Sequence, residues 1–401
     1  MRVTPSGGLR ILFLAVSALG ISSVSYAEPP EQPTFSKHIA PIFQEKCESC
    51  HRPGSIAPMP LRTFQESRAW ARSIKSRVEA RQMPPWHIDK TVGIQEFKND
   101  RSLSDEQIAT IVKWVDAGAP EGDPADMPKA KTWPDGQVWN YAALYGQEPD
   151  MIIRSLPWTQ KKGANDTWWK PVVETGITEP PWGRGIQVRP GTGEGRKITH
   201  HANSDVLQDE PGDLTQAGPG RFMEWAVGKE GEIMRPNTGK LLLPGSKILW
   251  DIHYSASRDE DITDVVEMGI YFYPKGQVPE HRQHLLRMGN TGTGAVDIPP
   301  NSIATTETFY PLKGAARIES FQPHMHLRGK AMSMEAILRN GNTMALSYVN
   351  NFNFNWHVNY IYAADVAPLL PKGTILRITA WYDNTSANKN NPDPNQWVGY
   401  G

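Results

Sequence analysis

Cys47 and Cys50 stand two residues apart, His51 follows at once, and the chain contains no other cysteine. In the order Lys46-Cys47-Glu48-Ser49-Cys50-His51, both thiols can form thioether bonds to the two vinyl groups of one haem. The imidazole of His51 then reaches the iron as its proximal ligand. Other chemistry fits this stretch poorly. A disulfide over two intervening residues closes a small strained loop, and a structural zinc ion needs two further thiolates or imidazoles close by. The spacing therefore predicts covalently held haem c and one-electron transfer. A sixth iron ligand must come from the other face of the ring, and Met59, Met83 and His87 are the candidates. Met83 is preferred because Pro84-Pro85 holds it in a stiff extended loop, whereas Met59, between Pro58 and Pro60, suits a packed core position.

Five of the eleven histidines fall into three downstream groupings. His200-His201 follows Lys197-Ile198-Thr199, His253 sits in Ile252-His253-Tyr254, and His324 and His326 flank Met325. In a strand, residues i and i+2 point to one face about 6.6 Å apart, so His324 and His326 can converge on one ion while Met325 points away. Adjacent His200 and His201 cannot do this in a regular strand. A loop or bulge must aim them together, with His253 arriving from another strand. Neutral imidazole suits copper, zinc and iron, and a histidine-rich set with thioether help selects copper. Each histidine taken alone has a plainer reading as a packed or hydrogen-bonded side chain; the grouping is what points to metal. His38 reads as a surface residue of the haem segment, His281 and His284 as inter-domain residues, and His357 as part of an aromatic strand.

These ligands need elements to hold them. Residues 1–27 have a basic start at Arg2 and Arg10, an apolar run over Ile11–Ile21 and a small-residue end at Ser25-Tyr26-Ala27, which reads as an export signal peptide. A periplasmic location for the rest follows, because haem is attached covalently outside the bacterial inner membrane. No other apolar run reaches spanning length, so no membrane insertion is expected. The formal net charge of −1 gives no electrostatic case for nucleic acid. Residues 28–124 read as a small all-α haem domain. Phe35, Ile39, Ile42 and Phe43 form a first helix leading to Cys47. Thr63 and Glu66 make a capping box ahead of Trp70, Ile74 and Val78, and Ser104 with Gln107 opens a last helix that stops at Gly118. A Pro- and Asp-rich linker occupies 125–149. Beyond it lie β-rich runs at Lys247–Tyr254, Val265–Tyr273, Met332–Leu338 and Thr374–Tyr382, with turn signals at Pro244-Gly245, Lys275-Gly276, Asn340-Gly341 and Lys372-Gly373. Two packed antiparallel sandwiches, 150–292 and 293–401, fit this pattern, divided near Asn290–Pro300.

The order helix, attachment site, loop and last helix resembles small c-type cytochromes, and Met83-Pro84 resembles their methionine ligand loop. From about Asp150 onward the chain resembles the copper type II, ascorbate-dependent monooxygenases, the family of peptidylglycine hydroxylating monooxygenase and dopamine β-monooxygenase. Thr199-His200-His201, Ile252-His253-Tyr254 and His324-Met325-His326-Leu327-Arg328-Gly329-Lys330 carry that resemblance in the family's order. It implies two jelly-roll domains with one copper each: an electron-transfer copper on His200, His201 and His253, and an oxygen-binding, catalytic copper on His324 and His326. Two departures are plain. The family's methionine ligand would fall close to or beyond Gly401, and no methionine follows Met344, so the chain is expected to stop short of that ligand and of the closing strand. The family's disulfides are also absent. The expected activity is hydroxylation of a C–H bond of a small organic substrate with O2. The haem would act as electron inlet beside or in place of ascorbate, fed by a quinol or cytochrome donor, and an iron–methionine ligand suits a donor to an oxidising copper site. The rivals are a non-catalytic haem–copper electron carrier and a redox sensor on a binding sandwich; the sensor leaves the clustered histidines unexplained.

Overall fold

The computed structural model describes residues 30–53, 55, 57–133, 138–209, 220–226, 229, 231–257, 259–289 and 296–399. The expected signal peptide, part of the expected divide between sandwiches, and Gly401 lie outside these residues. The described chain is mostly β-sheet with few helices, and no helix is long and apolar enough to cross a membrane.

The helices of residues 35–116 share a core against which Cys47 packs. A π-helical turn, Phe35–Ile39, runs into Ala40–Lys46, where Pro41 sits in the first turn and forfeits no hydrogen bond. Helices Phe64–Ala69 and Asp105–Asp116 each begin with a reciprocal capping box, Thr63 with Glu66 and Ser104 with Gln107. Trp70 breaks the expected continuous helix: it is 47% exposed, and the chain restarts as Ala71–Glu79 with Ala71, Ile74 and Val78 turned inward. These side chains share a core with Phe35, Phe43, Leu61, Ile111 and Trp114. Replacing Ser104 by alanine is expected to destabilise the last helix by about 1 kcal/mol. A lowered denaturation midpoint followed by circular dichroism checks this.

A separate all-α unit of the cytochrome c type is not evident, because the chain leaves the helical core at Pro85. Trp86 and Ile88 are buried in the core of the second β unit instead. Trp86 meets Tyr360 edge-on at 4.7 Å between ring centres, Phe97 stacks on Tyr362 at 5.6 Å, and Asp89 N–H donates to Tyr348 O at 2.7 Å. Asn99 receives Ile361 N–H at 3.1 Å and donates to Asn359 O at 2.7 Å. Residues 86–99 thus strap the helical segment to the β region.

The first β unit places two sheets face to face over one core. One runs Met151–Arg154, Val266–Phe272, Trp182–Pro190, Thr238–Leu241, His281–Arg282, with Gly231–Ile233 also on Trp182–Pro190. The other runs Thr167–Trp169, Lys247–Tyr254, Thr199–Leu207, Gly220–Ala226, with Val172–Glu174 also on Lys247–Tyr254. Ile186, Val188, Met268 and Ile270 of the first meet Ala202, Met223, Trp250 and Ile252 of the second. The second unit has the antiparallel order Ile303–Pro311, Ile375–Asp383, Gly329–Ile337, Thr343–Val349, plus short two-stranded pairs. Gly245, Gly276, Gly341 and Gly373 all take φ between 72° and 85°, the left-handed turn conformation that glycine adopts without strain.

Candidate metal centre

The strand Lys247–Tyr254 buries Ile248, Trp250, Ile252 and Tyr254 completely. Alternation therefore turns His253 to the opposite, outer face of its sheet. In the neighbouring strand His201 stands directly across from His253. The ladder then slips, Tyr254 pairing with Thr199, so that His200 is the extra residue of a bulge. The bulge brings both adjacent imidazoles to one place. Thr199 anchors it from beneath: its hydroxyl donates to Gly195 O at 2.8 Å and to the buried Asp264 Oδ2 at 3.2 Å.

The three rings stand 5.1–5.4 Å apart between centres, and their ligand nitrogens lie within 4.8 Å of one another. His200 Nδ1 and His201 Nδ1 are 3.2 Å apart. Two imidazole nitrogens about 2.0–2.1 Å from one tetrahedral ion would be separated by about 3.3 Å, so the pair has the bite of a metal site. His253 pairs its Nε2 with Asp166 Oδ2 at 2.9 Å, which fixes the tautomer and leaves Nδ1 as the donor. Trp168 lies flat on the ring at 4.3 Å, and Ala256 N–H holds the other Asp166 oxygen at 2.9 Å. Burial, reinforced by the neighbouring His253 and His357 rings, pushes His200 down to about 4. Burial and then His357, His253 and His200 push His201 down to about 2. Both are therefore neutral imidazoles, the form that binds a metal ion.

The second histidine pair is joined to this trio through His357 and Phe354. His324-Met325-His326 is an irregular segment between Ser320–Phe321 and Gly329–Ile337, not the expected strand. The expected division of faces nevertheless appears: Met325 is 2% exposed in the core, packed under Gly329, while His324 and His326 stand 5.3 Å apart between ring centres. The loop 350–359 of the second β unit enters the seam between the units. Its Phe354 stacks on His200 at 6.3 Å and meets His326 at 5.7 Å. Its His357 stands 4.5 Å from His324, 5.7 Å from His201 and 5.9 Å from His200. Six imidazoles thus form one continuous array.

No family model matches the chain, and no curated protein matches it. The chain is similar at 7% identity to a chain of the naturally occurring empty top component of Cowpea mosaic virus, over 59% of this chain and 89% of that one, with a TM-score of 0.24. It is similar at 9% identity to a fucolectin from striped bass (Morone saxatilis) serum, over 63% and 94%, with a TM-score of 0.14. It is also similar at 9% identity to the PBSX exported protein XepA, over 58% and 86%, with a TM-score of 0.13. Likenesses this slight carry no argument about the site.

Around Cys47 the turn is tight: Cys50 N–H and His51 N–H both donate to Cys47 O, at 3.1 and 2.9 Å. The thiols form no disulfide, and burial first, then Cys50 and Glu48, pushes Cys47 up to about 12. A free Cys47 thiol held protonated in this way is not a ready nucleophile. His51 Nδ1 lies 3.0 Å from Met59 O, so it donates there and presents Nε2 outward. These features fit a c-type haem. Met59 is half-buried against the helical core, Met83 lies four residues past the Ala71–Glu79 helix with its backbone N–H on Arg77 O, and His87 is buried with its backbone N–H on the Tyr360 hydroxyl.

Spacing does not reveal four of the site's residues. His357 is a lone histidine, and Glu224, whose Oε1 lies 3.5 Å from His357 Nδ1, Asp166 and Trp168 match no metal motif. All four reach the histidines only through strand pairing or the seam between the units. Among the others, Thr34 N–H donates to His38 Nδ1 at 3.0 Å, and His281 pairs with Thr238.

Proposed function

We propose that this chain is a periplasmic haem- and copper-dependent monooxygenase that hydroxylates a C–H bond of a small organic substrate with O2. In this reading the helical segment is cytochrome c-like and the two β units are jelly rolls of the copper type II monooxygenase kind. One observation carries the reading: the bulge at His200 joins His200, His201 and His253 into a ligand trio, to which His357 and Phe354 link His324 and His326. Copper bound at these groups would supply electron transfer at the trio and oxygen activation at the His324–His326 pair. His200 and His201, half-buried and neutral, together with the buried His253 would form an electron-transfer ligand set. His324 keeps solvent-exposed surface, which gives substrate and O2 an approach to the second pair.

On the haem side, Cys47 and Cys50 would carry the thioethers and His51 the iron. His51 Nδ1–H donates to the Met59 carbonyl, and the His87 backbone N–H donates to Tyr360 of the second β unit. Met83, held ahead of Pro84-Pro85, would be the favoured sixth ligand. The strap 86–99 ties this haem segment to the unit that contributes His324 and His326, in keeping with an electron inlet; ascorbate or a quinol or cytochrome partner would supply the electrons.

Metal analysis of the purified full-length chain after copper loading is expected to give one iron and two coppers per chain. The reduced protein should then consume O2 in a substrate-dependent manner. Two coppers with no O2 uptake across a panel of small organic substrates would leave the non-catalytic haem–copper electron carrier. That second reading is favoured by one observation: among the described residues only His200, His201 and His253 converge as a complete trio.

A further inference from the structure

We propose that the outer face of the second β unit's four-stranded sheet holds a binding site for a neutral saccharide, one pyranose ring seated in a cleft of about 340 Å3. The cleft follows from side-chain size along paired strands. Ser333 stands directly across from Thr379, and Glu307 and Tyr348 end that row on the neighbouring strands. Two residues along one way, Glu335 pairs with Arg377; two residues the other way, Trp381 pairs with Ala331, and this spacing keeps them on the same face. Short hydroxyl side chains in the middle row and long ones around it leave a hollow in the sheet surface. Ser333 and Thr379, 8% and 6% exposed, form its floor. Glu307, the Glu335–Arg377 pair, Tyr348 and Trp381 are its walls. The volume lies at the lower end of the about 300–1,000 Å3 usual for small-molecule sites.

The walls carry both hydrogen-bonding signs. Arg377 donates through Nε and Nη2 to Glu335 Oε2 at 2.9 and 2.6 Å, and its Nη1 lies 3.8 Å from Glu307 Oε1. Thr379 donates its hydroxyl to that same Glu307 oxygen at 3.3 Å. A carboxylate has about four lone-pair sites, so Glu307 and Glu335 both keep acceptor capacity towards the cleft. Trp381 and Tyr348 are half-buried and meet edge-on, with ring centres 5.7 Å apart. A pyranose matches this mixture. Its C–H face can lie on an aromatic ring, and its hydroxyls, each one donor and two acceptors, answer carboxylate and guanidinium alike. Charge points the same way: an anion would face two carboxylates and a cation would face Arg377, whereas a neutral polyol opposes neither. None of these residues belongs to the histidine array, so the inference stands apart from the copper reading.

The test applies saturation-transfer NMR to the full-length protein without added copper, using the methyl glycosides of glucose, galactose, mannose and N-acetylglucosamine as probes. At least one glycoside should show saturable transfer, strongest at the C–H protons of one ring face. Trp381→Ala should weaken that binding about tenfold, through lost stacking and burial. Trp70→Ala, at an exposed tryptophan of the helical segment, should leave it unchanged. Ala345→Phe, at an exposed position lining the cleft, fills the hollow while keeping every polar wall group, and should abolish binding. That variant decides the matter if Trp381→Ala does not fold. No transfer from any glycoside, or unchanged transfer in a folded cleft variant, overturns the proposal. Transfer from tetramethylammonium in place of every glycoside also overturns it, in favour of a cation site.

Discussion

On the proposed haem–copper reading, His201→Ala is expected to abolish binding of the first copper while leaving the haem and the second site in place. His201 is the middle of the trio: it faces His253 across the ladder, its Nδ1 lies 3.2 Å from His200 Nδ1, and its ring stacks near His357. Losing a ligand should weaken the metal by more than the roughly 10–100-fold typical of losing an outer partner. Asp166→Asn is the outer-partner control. It removes the carboxylate that holds His253 Nε2 at 2.9 Å but leaves all three imidazoles, so its loss should fall within that range. Copper per chain after dialysis should read one for His201→Ala against two for wild type, with an unaltered haem spectrum. Substrate-dependent O2 uptake should fall to background. Two coppers retained by His201→Ala at wild-type affinity would show that the trio is not a metal site.

Much of this centre was legible because it rests on local rules. A pair of adjacent histidines can serve one ion only through an irregularity, and the bulge at His200 is that irregularity. The strand Lys247–Tyr254 has the bounds its pattern demands, and Ser104 with Gln107 caps a helix as its spacing requires. The parts that escaped are tertiary. Trp86-His87-Ile88 follows a Pro-Pro helix stop and looks like loop, yet Trp86 and Ile88 fill a core that starts some two hundred residues later. Trp70 fits the helical period of Ile74 and Val78, but the helix breaks there and exposes it. His357 has no histidine within its own segment; only the fold brings it beside His324 and, across the seam, His200 and His201. Glu224 reaches the seam because it pairs with Asn203, two residues from His201 on the same face.

Glu232→Gln is expected to cost about 3–5 kcal/mol, the usual penalty for breaking a buried ion pair from one side. Glu232 sits between two ammoniums, Lys229 at 3.0 Å and Lys240 at 2.6 Å, both only 4% exposed. The amide is nearly isosteric, so no cavity forms; what changes is that two buried positive charges lose their one shared counter-charge. Burial opposes ionisation of Glu232, but Lys240 and Lys229 outweigh it and hold the carboxyl at about 2, below its usual 4.5. Burial also lowers Lys240, by more than Glu232 restores. The two partners thus disagree on whether the cluster is a net gain. They agree on the substitution, because removing the carboxylate leaves Lys240 still worse placed. The depressed carboxyl gives the sign of the pH effect: its contribution is present above about pH 4.5 and is lost as the pH falls towards 2. Denaturant unfolding at pH 7 should therefore show the full gap between variant and wild type, and the gap should shrink through that acid window. A gap below about 1 kcal/mol at pH 7, or one that persists unchanged at pH 2, would refute the cluster's role. Lys229 also holds Gln322, two residues before His324. Loosening it should weaken the second copper and spare the first, which separates a local effect on the seam from general loss of stability.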